Sequence, residues 1–334
     1  GLASGYATAG VTVYGKANVS VQSNDSNAMS SDTQDNWTLN SNASRVGVKG
    51  SKKLGDTGLK AIYKVEYEVA FDDGDDGSGN KSELKQRNTY VGLTGNFGTI
   101  IGGYHDTPLK LAQGKVDRFN DLDVGDIKNV VSGENRLGDS VIYTTPKFSG
   151  VSASIGLVLG EDDGVNNTDN DGLTDSTSIS IQWSGHGARL AVANDSDVDE
   201  ELVANDWTVA MPGKTGLDIT RFVGEYGQDN WKIGALVQSA EPTDDNATDI
   251  EEKGTILSGE LKVASNVKLK LQYASSETSE DGEEDIEIDQ IAFGADYKLD
   301  KKTKLYAYYA KVQTEKGSVD AEDKTFGLGI ETKF

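Results

Sequence analysis

"GLKAIYKVEYEVAF", Gly58 to Phe71, alternates along its whole length. Leu59, Ala61, Tyr63, Val65, Tyr67, Val69 and Phe71 fall on one side, with Lys60, Lys64, Glu66 and Glu68 on the other. A period of two is that of a strand, whose successive side chains point to opposite faces. The pattern returns in "WKIGALVQ" (231–238), "NVKLKLQYAS" (266–275), "DQIAFGADYKL" (289–299) and the terminal "FGLGIETKF" (326–334). Helical periodicity is nearly absent, so the chain reads as all-β.

The connections alternate as well. Short turns occupy 54–58, 95–98, 146–150, 184–187, 227–230, 264–266 and 299–302. Between them lie long polar stretches, the last two being "ETSEDGEEDIE" (277–287) and "TEKGSVDAED" (314–323). Seven short turns and eight long loops imply sixteen strands, with both chain ends on the short-turn side. A soluble sandwich has no reason to sort its turns this way. No apolar run reaches the roughly 18 residues of a membrane helix, but a barrel strand needs only about 9–11, half of them apolar. The pattern therefore predicts a closed 16-stranded antiparallel transmembrane β-barrel, with short periplasmic turns and long external loops. Its apolar face would meet lipid and its charged face a lumen too wide for side chains to fill.

Composition narrows the partners. Acids outnumber Lys and Arg 55 to 32, giving a net charge of −23, which argues against nucleic acid. There is no cysteine, so neither disulfides nor thiolate metal sites arise. Ala7-Thr8-Ala9 is a small-x-small pattern like that before a signal-peptidase cut, which would make residues 1–9 a signal remnant or extension and 10–334 one barrel. One segment fits no strand: "YHDTPLKLAQGKVDRFNDLDVGDIKNVVSGENR", Tyr104 to Arg136, within an insert of about 104–138. Structureless connections of that length are uncommon and usually functional or disordered.

"VTVYGKANV" (11–19), "SRVGVKG" (44–50), "RNTYVGLTGNFGTIIGGYHDTP" (87–108), "RLGDSVIYTTPKFSGVSASIGL" (136–157) and "FGLGIETKF" (326–334), in that order, resemble the general porins of Gram-negative outer membranes. The resemblance spans the chain and is strongest in its first 160 residues. It implies a homotrimer of barrels through which ions and small hydrophilic solutes diffuse passively. It also implies that the third external loop, here the insert, folds into the lumen. A basic wall would then face loop acids across an eyelet. By motif the wall residues are Lys16, Arg45, Arg87 and Arg136, with Lys49 and Lys60 weaker candidates; the acids are Asp117, Asp121, Asp123 and Asp126. Strand phase puts Lys16, Arg45 and Arg87 toward the lumen if Val13, Val46, Val48 and Tyr90 point outward. The family's usual loop tip is missing; "LDVGD" (122–126) stands in its place, with Gly125 allowing a tight bend. Phe334 would form part of the signal read by the barrel-assembly machinery.

Facing charges in a narrow pore make a transverse field that orients dipolar solutes, and the acidic excess points to mild cation selectivity. Other motifs carry competing readings. "NTDNDGLTD" (167–175) sets Asn167, Asp169, Asp171 and Asp175 like part of a calcium loop, though Ser178 stands where the bidentate Glu belongs. Such loops could take Ca²⁺ or Mg²⁺, also in bridging lipopolysaccharide phosphates, which leaves a surface binding protein of little conductance as the alternative function. His105 and His186 are the only histidines and lack a catalytic setting, so no enzyme is expected. Trp37, Trp207, Trp231, Tyr306, Tyr308 and Tyr309 read as girdle or lumen residues.

Overall fold

The computed structural model describes residues 10–27, 36–72, 84–160, 176–209, 213–244 and 249–334. Through them run β1 (Val11–Ser26), β2 (Asn36–Ser41 and Arg45–Lys53), β3 (Lys60–Glu68), β4 (Lys85–Gln86 and Thr89–Gly95) and β5 (Gly98–Asp106). Then follow β6 (Arg136–Thr144), β7 (Val151–Val158), β8 (Ser176–Gly185), β9 (Ala188–Glu200), β10 (Thr215–Gly227) and β11 (Trp231–Pro242). β12 (Ile250–Lys262), β13 (Val267–Glu280), β14 (Ile286–Lys298), β15 (Thr303–Lys316) and β16 (Val319–Lys333) complete the set. Each pairs antiparallel with the next, and β16 pairs with β1 from Lys16↔Lys333 to Ser26↔Asp323. Gly15 and Phe334 exchange two backbone hydrogen bonds of 3.1 Å at this seam, so no edge strand is left open. The fold is a closed 16-stranded barrel.

All seven short turns fall where the sequence placed them. The last two external connections do not match: they shrink to 281–285 and 317–318, because β13 to β16 keep pairing beyond the apolar band. Polar alternation there suits strands with water outside, so the main-chain ladder simply continues. β14 shows the change of surroundings within one strand. Ile291 and Phe293 point out to lipid and are half exposed, while further up Glu287 and Asp289 take the outward positions.

Ile286 and Ile288, on the inward face of that strand, are buried, and so are Leu217, Ile219, Leu236, Ile256 and Ala274 on β10 to β13. A lumen face lined by charge alone is thus not what forms on this side. Leu109, Val116, Ile127, Val130 and Val131 of the insert cover those residues and make the main hydrophobic core, which lies inside the barrel. Each such buried side chain contributes about 1.5–3 kcal/mol, enough to hold a loop off the axis and against one wall.

Candidate functional site

The insert leaves β5 through Thr107, whose hydroxyl caps α1 (Pro108–Ala112) by accepting the Lys110 amide at 3.1 Å. It then runs along the wall from β7 to β16. Irregular backbone at membrane depth must find partners in protein or water, and inward polar side chains supply them. Arg189 donates to the Ala112 carbonyl at 2.9 Å, and Glu225 accepts the Lys115 amide at 2.7 Å. Gln272 accepts the Arg118 amide and donates to the Gly125 carbonyl, at 2.8 and 3.0 Å. Gln290 donates to the carbonyls of Val124 and Asp126. At the return, Arg221 is fully buried, pairs with Glu134 at 2.9 Å and donates to the Ser132 carbonyl at 2.8 Å. Glu252 accepts both the amide and hydroxyl of Ser132, and Glu200 accepts the Gly133 amide. Sequence reasoning missed this row of anchors. Its signal was available: Arg221 sits among inward Leu217, Ile219 and Val223, where water would not satisfy it.

At the loop tip Phe119 packs on Tyr306, Tyr308 and Ala310 of β15. The chain turns at Asp121 and Asp123, which adopt the left-handed region at φ 67° and 42°. The bend is therefore not made by Gly125, as the sequence suggested. Gly125 is needed for closeness instead: a Cβ there would lie 2.9 Å from Phe119 Cβ.

The tip brings three of the expected charged residues together. One oxygen of Asp121 accepts from Lys16 Nζ at 2.8 Å and from an Arg45 guanidinium nitrogen at 2.9 Å. Burial would raise the Asp121 carboxyl, but Lys16 and Arg45 outweigh it and hold the group below the ordinary carboxylate range. Arg87 joins the same wall, pairing with Glu66 at 3.4 Å and Glu68 at 2.5 Å; Lys64 and the Tyr14 hydroxyl also bind Glu66. Arg136 lies at the loop's base, where it pairs with Asp106 at 2.8 Å and donates to Asn88. Lys49 sits over the Tyr14 ring, and Lys60 lies on the same lumen face toward the short turns.

The other loop acids are placed differently. Asp117 is buried and accepts the amides of Phe119 and Ile127, folding the loop on itself. Burial and the nearby Asp126 push its carboxyl well up. Asp126 accepts the amides of Asp121 and Lys128. Asp123 is exposed and lines the external vestibule with Lys128 and Asp323. Tyr90 corrects the strand phase: it pairs opposite Lys64 and packs edge-on against His105 at 5.3 Å, on the lumen side. Arg87 still faces inward because the register slips by one residue between Gln86 and Thr89, a bulge that alternation cannot show.

Trp231 stacks edge-on with Tyr226 on the outer surface near the short turns, and Tyr309 lies beside Phe293. Trp37 is exposed, whereas Trp207 packs on the core above the loop. The His105 ring nitrogen Nδ1 lies 2.8 Å from the Asp106 carbonyl. Asn167, Asp169, Asp171 and Asp175, like residues 1–9, lie outside the described residues; among those described, no three His, Cys, Asp or Glu side chains form a metal-binding group.

A family model for Gram-negative porins matches residues 1–317. The chain belongs to the Gram-negative porin family. This porin is 25% identical over 277 residues to outer membrane porin protein 32 of Delftia acidovorans, covering 80% of this chain and 74% of that one. It is 30% identical to the major outer membrane protein P.IB of Neisseria meningitidis serogroup B, over about half of each (49% and 48%). Among solved structures, an anion-selective porin from Comamonas acidovorans matches with a TM-score of 0.77 at 22% identity, over 97% of this porin and 99% of that chain. The channel DcaP of Acinetobacter baumannii matches with a TM-score of 0.73 at 16% identity, over 100% of both. By family and fold this porin is an outer-membrane channel rather than an enzyme.

Proposed function

We propose that this porin is a passive diffusion channel for ions and small hydrophilic solutes, mildly cation-selective, and narrowed by its third loop, whose Asp121 closes on Lys16 and Arg45 and leaves the passage beside Arg87 and Arg136. The observation that carries the reading is the double ion pair of Asp121, which fixes an inward loop tip against the basic wall. The loop lies on β7 to β16 and reaches β1 and β2, so the wall from β3 to β6 is the side it leaves uncovered. The basic residues on that side are largely matched by Glu66, Glu68 and Asp106. With the eyelet near neutral, the acidic excess of the external loops sets the sign of selectivity. The Comamonas porin's anion preference belongs to a chain only 22% identical and does not transfer.

A trimeric assembly is part of the proposal, supported by an OmpT structure of Vibrio cholerae described as a trimer form, with a TM-score of 0.64. Planar-bilayer recordings test the reading. Stepwise ion conductance, closing in triplets, with a reversal potential of cation sign under a KCl gradient is expected. Absence of conductance would sink the channel, and an anion-sign potential would sink the selectivity.

A further inference from the structure

The two ends of the barrel carry opposite charge on paired strands. Toward the external loops, Glu277 stands opposite Glu287 and Glu315 opposite Asp320. Toward the short turns the pairs are lysines: Lys262 opposite Lys268, Lys298 opposite Lys304, and Lys16 opposite Lys333. Strand phase puts these lysines on the lumen face, level with or below inward-facing Lys270 and Gln272. Lys53 opposite Lys60 and Lys49 opposite Lys64 repeat the arrangement across the mouth. Like charges directly opposite each other destabilise a sheet, so five such pairs at one end of an acidic chain are not explained by folding.

Of these lysines, Lys262, Lys268, Lys298, Lys304 and Lys333 line a cavity of about 480 Å³ at the periplasmic mouth. Eight lysines and five carboxylates line it, an excess of three positive charges in a chain whose net charge is −23. Four of the five carboxylates have partners, Glu331 in Lys333 at 3.7 Å. Glu260 serves Arg118, Lys232 and Lys268, and Asp296 serves Lys270 and Lys304. Asp300 accepts the amides of Lys302 and Thr303. Lys262 and Lys298 form no ion pair with any described residue. With Lys268 and Lys304 they make two opposed pairs on four consecutive strands, each pair at the strand spacing of roughly 4.8 Å and the second pair two residues nearer the turns, since Lys268 stands opposite Asp296.

We propose that this collar binds small multivalent oxyanions, solutes with two or more neighbouring phosphate or carboxylate groups, arriving from the periplasmic side. Four flexible ammonium groups at strand spacing can converge on adjacent anionic groups of one solute, which a single chloride cannot bridge. Bound there, such a solute would obstruct the channel from the short-turn end while the acidic external mouth repels it. The inference rests on the channel reading but has its own test. Inorganic tripolyphosphate is added to one chamber and then the other, with porin inserted in one orientation in a bilayer. Half-block from the short-turn side is expected at a concentration about tenfold or more below that needed from the loop side, a difference of about 1.4 kcal/mol. The Lys262→Gln/Lys298→Gln variant should lose this asymmetry, and Lys262→Arg/Lys298→Arg should keep it. Equal block from both sides, or asymmetry surviving in the Gln variant, would overturn the collar. Failure to conduct at all would instead overturn the channel, so the two are told apart.

Discussion

Asp121 and Asp117 lie four residues apart in one loop and behave oppositely. Asp121 holds two cations through one oxygen, so Asp121→Asn leaves Lys16 and Arg45 facing each other without an anion. Loss of these charge-assisted bonds should cost about 1.5–3 kcal/mol of loop-tip stability, read as added open-channel noise, and should move the reversal potential toward anions. Asp117 is turned into the loop, where its pushed-up carboxyl accepts backbone amides that an amide oxygen could also accept. Asp117→Asn is therefore expected to leave selectivity unchanged, and an equal shift in both variants would contradict the assignment. The pH dependence follows from the sign at Asp121. Its carboxyl is held below its unfolded value of about 3.9, so the contact is fully present above that pH and lost as pH falls through the lower folded value. A change in reversal potential that Asp121→Asn abolishes should therefore appear only below about 3.9.

The third loop is held as an element by apolar cover and by wall side chains that bond its backbone. Arg221→Leu removes the cation that pairs with the Glu134 carboxylate, which keeps only the Gln113 amide, and leaves Gln238 as the remaining side-chain donor to the Ser132 carbonyl. Breaking a buried pair this way costs about 3–5 kcal/mol. The variant should admit larger solutes in liposome swelling, or fail to fold in detergent; unchanged permeation by a stably folded variant would contradict the anchor. The loop's existence was legible in the sequence because its 33 residues break every strand pattern. Its path was not. Periodicity shows which side of a strand is apolar, and it cannot show that Leu236 or Ile256 on the inward face is covered by a loop from elsewhere in the chain. The slip at Arg87 was hidden for a related reason, since a bulge adds one residue without changing composition. Lys16 and Arg45 were legible because β1 runs unbroken around Lys16 and the second piece of β2 alternates from Arg45 onward, although β2 slips by one residue against β1 between Ser41 and Arg45.

As a whole molecule, the barrel was readable from the ordering of its connections more than from any one strand. Seven short turns at one end and polar segments at the other fix the strand number and the direction of the axis, and closure through Gly15 and Phe334 follows. What the ordering could not show is how much of the lumen the third loop fills. The most direct test compares proteoliposome permeation by neutral solutes of increasing size for the wild-type porin and a variant lacking residues 115–128. The account predicts that the wild type passes small solutes with a sharp cut-off and that the deletion raises this cut-off. An identical cut-off in both proteins, or no permeation by either, would contradict it.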